Sequence, residues 1–162
     1  MTEVVSDSAG AIPDDEMLRE TIRQRVESAG SSFYWAMRLL PIARRNGMYA
    51  VYAFCREVDD IADEISPPEH KKAALAAWHA EIDALYEGHP RQFVARALRD
   101  PVMHYRLRRE DFHAVIDGME MDAAQDIRAP DLATLDRYCA SVASAVGHLS
   151  VHIFGDSGPA AH

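Results

Sequence analysis

Cysteine is scarce: the 162 residues contain two, Cys55 and Cys139. Both lie in helical patterns rich in Ala and Val and read as small buried apolar residues of a reducing compartment. No second Cys or His stands at ligand spacing to either, which argues against a cysteine zinc site. Long apolar runs are missing as well. No stretch reaches the ~18 residues that a spanning helix needs, and no basic region followed by an apolar run marks a secretion signal. The expectation is a cytoplasmic protein, compatible with peripheral contact at a membrane face. Sustained Lys/Arg runs are also lacking, and a formal charge of −9 argues against nucleic acid as a partner. The densest basic patch, Arg106, Arg108 and Arg109, is flanked by Glu110 and Asp111 and reads as a solvated helix start or connection.

Alternating strand patterns, repeats and low-complexity runs are absent too, which leaves an all-α chain with short connections, long enough for one buried core. Residues 1–12 are small, polar and unpatterned and read as disordered. The helical domain is expected over 13–155, with a loop-like tail over 156–162. Helices are predicted from Pro13 to Ala29, Phe33 to Leu40, Ile42 to Ile65, Glu69 to Tyr86, Arg91 to Arg99 and Glu110 to Gln125. A last helix, capped by Asp131 or Thr134, runs to Phe154. Pro41, Ser66-Pro67-Pro68 and Asp100-Pro101 are read as breaks.

The third of these helices carries the chemistry. Tyr52, Arg56, Asp59 and Asp63 are spaced i, i+4, i+7 and i+11, within an arc of roughly 60° on a helix. Val51, Phe54, Val58, Ile61 and Ile65 form an apolar stripe on the opposite side. Carboxylates one turn apart are hard oxygen ligands of the kind Mg²⁺ takes together with phosphate oxygens. The planar fork of Arg56 suits phosphate. The alternative is a solvated acidic helix end with Arg56 paired to Asp59 or Asp60. In the last helix Tyr138, Val142, Ala145 and Leu149 share one stripe, and small residues around them permit close helix approach or a cavity.

These segments resemble a known family. Ser32-Phe33 with Leu39-Leu40-Pro41, then Tyr49 through Arg56 leading into Val58-Asp59-Asp60-Ile61-Ala62-Asp63-Glu64, are similar to the squalene/phytoene synthases. Ile116 through Asp122, and Tyr138-Cys139 followed by Val142-Ala143 and Val146-Gly147, agree in order and spacing. Within the family, Phe33 to Pro41 and Gly118 to Asp122 are most similar to the bacterial hopanoid-pathway presqualene diphosphate synthases. The resemblance implies an all-α isoprenoid-synthase fold and head-to-head (1′–1) condensation of two prenyl diphosphates. Farnesyl diphosphate would be the substrate, with geranylgeranyl diphosphate, as in phytoene synthesis, the alternative. It implies that Asp59 and Asp63 bind Mg²⁺ bridging to diphosphate, that Arg56 and Tyr52 contact the diphosphate and help it leave, and that Ser32 and Phe33 border the pocket. Tyr138 would face the reacting carbons, with Phe33, Val142, Val146 and Leu149 as apolar lining.

The chain ends at His162, before the family's second aspartate motif is due. Asp122 and Asp126 repeat the i, i+4 spacing, but they precede the Tyr138 helix and so cannot stand for that motif. The expectation is therefore the N-terminal part of such an enzyme, holding Mg²⁺ and diphosphate weakly without completing condensation alone. The reading from another class is a non-catalytic helical interaction module that keeps the stripe by descent. His148, His152 and His162 share no partner in this reading and are taken as surface or helix-end residues. Oligomeric state has no signature in the sequence.

Overall fold

The computed structural model describes residues 11–124 and 131–155. Every regular element within them is a helix: α1 (Ala11–Ser28), α2 (Ser32–Arg38), α3 (Ile42–Asp63), α4 (Pro68–Tyr86), α5 (Phe93–Tyr105), α6 (Arg109–Ala124), α7 (Leu132–Cys139) and α8 (Ala145–Phe154). A π-helical turn, Ala140–Ser144, joins α7 to α8. α3 is the axis of the bundle and packs against α1, α4, α5, α6 and α8. Its inward residues Val51, Phe54 and Val58 are fully buried. The Phe54 ring meets Trp78 of α4 edge-on at 5.4 Å and Phe112 of α6 at 5.2 Å. This aromatic cluster fixes the three helices to one another.

Several boundaries differ from those expected, each for a local reason. α1 begins at Ala11, inside the segment read as disordered. Pro13 falls in its first turn, where a missing N–H removes no intrahelical bond. α3 stops at Asp63, because Glu64 is already extended (φ −60°, ψ 140°) ahead of the two prolines. Ile65 therefore lies beyond the helix and is fully exposed, so it packs on nothing. α5 does not stop at Pro101 but continues to Tyr105 with the buried proline inside it. One lost backbone bond is offset there by burial of the ring. Arg106 then ends α5 in the left-handed conformation, at φ 53°. The last helix is interrupted by the π turn, and Asp131 supplies its N-cap, accepting from the Thr134 N–H at 2.7 Å. The chain ends 1–10 and 156–162, and Gln125 and Asp126, lie outside the described residues.

Two contacts set the frame of α3 and its neighbours. Lys71 Nζ donates to the Ala62 carbonyl at 2.6 Å, satisfying an acceptor in the last turn of α3 beside Asp63. Buried Glu81 of α4 accepts the backbone N–H groups of Arg91 and Gln92, at 2.5 and 2.6 Å, tying down the start of α5. No helix among the described residues is long and apolar enough to cross a membrane.

Candidate active-site face

The α3 stripe divides into two halves. Tyr52 and Arg56 line a groove of about 600 Å³ between α1 and α3, together with Arg25 and Asp60. Arg56 lies 3.0 Å from Asp60 and 3.5 Å from Asp59, so it spans both halves, and the i+3 and i+4 pairings raised as the alternative are both made. Asp59 and Asp63 turn toward α6 and α7. Burial pushes the Asp59 carboxyl above its ordinary range first, then the charge of Asp63, with Asp60 and Asp122 adding to it and Arg56 opposing. Tyr138 of α7 is raised by burial and then by Asp122, Asp59 and Asp63. Three carboxylates from two helices and one phenol from a third therefore share a single electrostatic neighbourhood.

The approach of α7–α8 to α6 depends on glycine. A Cβ built on Gly118 would stand 2.3 Å from Cγ2 of Val142, inside contact distance. Only hydrogen at this position lets the π turn lie against α6, on the helix whose Asp122 faces α3. Val142 and Val146 are half-buried against the core, and Ala145 and Leu149 are fully buried, as the Tyr138 stripe requires.

Other expected site residues stand apart. Ser32 and Phe33 lie exposed on α2, with Phe33 67% exposed. Ser31 rather than Ser32 caps that helix, accepting the Phe33 N–H at 3.2 Å. The partner of α2 in the core is Tyr34, whose ring stacks on Tyr49 at 5.9 Å. Cys55 packs against the core as expected, and burial and the Asp59 charge push its thiol up to about 12, an unreactive value. Cys139, the last residue of α7, is exposed, contrary to expectation. His148 has a partner after all: its Nδ1 lies 3.2 Å from Oδ1 of buried Asp111. Arg109 of the basic patch is not merely solvated; it donates to Asp83 at 2.9 Å through Nε.

The spacing of Asp122 to Asp126 does not point to α3; the electrostatic coupling of Asp122 to Asp59 and Tyr138 does. The usable signal was its place four residues after Gly118, the residue that admits Val142. Another cavity, of about 660 Å³, lies between α1, α3 and α5 around Ile42, Asn46 and Met103, and none of Asp59, Asp63 or Tyr138 lines it.

The donor set suits a hard divalent cation such as Mg²⁺. Asp59 and Asp63 are one turn apart, Asp122 faces them, and their mutual repulsion is the load that a bound cation relieves. The site is thus an acidic, partly buried face of an all-α bundle, beside a groove in which Arg25 and Arg56 alternate with Glu57 and Asp60. The comparison with known proteins gives the family: the squalene/phytoene synthase family matches residues 26–162, and the chain belongs to it. A presqualene diphosphate synthase of Sinorhizobium fredii is 54% identical over 131 residues, which are 81% of this chain and 47% of that protein. One of Rhodopseudomonas palustris is 57% identical over 126 residues, covering 78% of this chain and 45% of that protein. A phytoene synthase of Arthrospira platensis is 29% identical over 140 residues, 86% of this chain and 45% of that protein. A crystal structure of a dehydrosqualene synthase superposes with a TM-score of 0.75 at 27% identity, covering 87% of this chain and 48% of that one. The fold is thus that of the isoprenoid synthases. The chain spans about half the length of the curated relatives it matches.

Proposed function

We propose that this chain forms the first-aspartate half of a presqualene diphosphate synthase, joining two farnesyl diphosphates head to head. The observation that carries the reading is the convergence of Asp59, Asp63 and Asp122 with Tyr138 on one face, where the neighbouring carboxylates hold Asp59 raised against the opposing charge of Arg56. The choice of farnesyl over geranylgeranyl diphosphate rests on identities of 54–57% to presqualene diphosphate synthases, against 29–32% to phytoene synthases.

In this reading Asp59 and Asp63 hold Mg²⁺ and Arg56 meets diphosphate oxygens with its fork of donors. Bound there, Mg²⁺ would neutralise charge as it builds on a departing diphosphate. The chain's own residues do the rest. Tyr52 and Arg56 orient the diphosphate from the α1–α3 groove. Val142 and Val146 keep water from the allylic carbons. In this reading Tyr138 takes up the proton that leaves the coupled carbon skeleton, so that two substrates yield presqualene diphosphate, one diphosphate and a proton. Such apolar products favour peripheral contact with a membrane surface.

The test is product analysis after incubation with Mg²⁺ and farnesyl diphosphate, on this chain and on a version lengthened to the span of its relatives. Presqualene diphosphate from the lengthened chain, and none from the shorter one, is the expected result. No product from either, with geranylgeranyl diphosphate also inert, would leave the non-catalytic helical module as the better reading.

A further inference from the structure

A chain of polar contacts runs along the interface of α4 and α6, separate from the α3 stripe. Arg109 Nε donates to Asp83 Oδ1 at 2.9 Å, and His113 Nε2 reaches the same oxygen at 2.8 Å. His113 Nδ1 lies 2.6 Å from Nδ1 of His79, and the two rings stack at 4.8 Å. At the far end His79 Nε2 lies 3.3 Å from Asp117 Oδ1 and 3.6 Å from Glu120 Oε1.

The protons can be followed along this chain. Arg109 holds the Asp83 carboxylate in its charged form, so His113 Nε2 carries a proton and donates it. The Nδ1–Nδ1 contact needs one donor and one acceptor, and in the tautomer of His113 whose single N–H is at Nε2, its Nδ1 accepts from His79 Nδ1. The remaining nitrogen, His79 Nε2, is left as a bare lone pair aimed at two carboxylates. Three lone-pair ligands thus face one point, with their atoms within 4.8 Å of one another.

We propose that His79, Asp117 and Glu120 bind a divalent transition-metal ion of the zinc class, joining α4 to α6. Metal–ligand distances of about 2.1 Å in tetrahedral geometry separate neighbouring ligands by about 3.4 Å, close to both separations from His79 Nε2. The His113–Asp83 relay supplies the outer hydrogen bond that orients a ligating histidine and fixes its tautomer. An imidazole ligand favours zinc-class ions over Mg²⁺. Three protein ligands leave a fourth position for water, and Asp117, at 60% side-chain exposure, gives the ion a route in. The inference is independent of the prenyl-diphosphate reading, because Asp117 and Glu120 face α4 whereas Asp122, two residues on, faces α3.

The test is titration of the 162-residue chain with Zn²⁺, and with Co²⁺ as the visible-absorbing probe, in excess Mg²⁺. An Asp59→Asn/Asp63→Asn background silences the α3 stripe. One ion per chain is expected, with affinity at least tenfold weaker in both His79→Gln and Glu120→Gln and an unchanged helical circular dichroism spectrum. Should His79→Gln fail to fold, Glu120→Gln decides, since it leaves the histidine relay intact. Absence of uptake, or full affinity in a folded His79→Gln or, failing that, in Glu120→Gln, would overturn the site and leave a proton on His79 Nε2 as the link to the carboxylates.

Discussion

Asp59 on α3 and Asp83 on α4 are carboxylates of adjacent helices, displaced in opposite directions. Asp59 is held above the ordinary range by burial and by Asp63, Asp60 and Asp122. Asp83 is held below it, chiefly by its hydrogen bond to Arg109 and also by His113. One helix face therefore carries charge that its own residues do not balance, whereas the other is balanced within the chain. The first arrangement costs stability unless a cation arrives, and the second contributes stability with no ligand. That contrast separates a binding face from a structural contact better than the number of acidic residues on either.

Removing the floor common to both regions should have the largest effect. Phe54→Ala deletes the ring that joins α3 to Trp78 and Phe112, and is expected to cost about 3–5 kcal/mol in chemical denaturation. Gly118→Ala comes next. Its new Cβ meets Val142 at 2.3 Å, so a loss of about 1–3 kcal/mol is expected, read in the same way. It should also weaken ligand binding at the acidic face, because the segment bearing Tyr138 is displaced.

The balanced side should respond modestly and with a defined sign. Arg109→Ala removes a pair in which both side chains are 43% exposed, so about 0.2–1 kcal/mol is expected at neutral pH. Because Asp83 is lowered, this stabilisation is present above the ordinary carboxyl range and disappears as pH falls toward the lowered value. Melting curves of the two proteins should therefore converge in acid.

The smallest effect carries the opposite sign. Asp59 binds its proton more tightly in the folded chain, so between the ordinary carboxyl range and its raised value stability falls as pH rises. Asp59→Asn should raise Tm slightly in metal-free buffer and remove that slope. A drop in Tm would mean that the carboxylate is already balanced, and the contrast with Asp83 would fail.

Much of this architecture was legible in the chain because it is periodic. The apolar row Val51, Phe54, Val58 and the polar row Tyr52, Arg56, Asp59, Asp63 are set by helix geometry alone and lie on α3 as read, whereas Ile65, the last member expected of the apolar row, falls beyond the helix. Boundaries were less legible where proline was concerned. Pro67 and Pro68 shortened α3 by two residues, whereas Pro101 broke nothing, since burial of its ring is a tertiary matter invisible in local sequence. Relations between helices were hardest to see. Asp122 facing Asp59, Gly118 admitting Val142, and His148 reaching Asp111 all depend on which faces meet. His113, Asp117 and Glu120 form an i, i+4, i+7 row that reads as an ordinary solvated face until α4 brings His79 against it.

The central claim is that the α3 face awaits a cation and a diphosphate. Calorimetric titration of farnesyl diphosphate into this chain, with Mg²⁺ or with chelator, tests it most directly when repeated on Asp59→Asn/Asp63→Asn. Binding that requires Mg²⁺ and weakens more than tenfold in the double variant is the expected result. Equal binding in chelator, or affinity unchanged in the double variant, would contradict it.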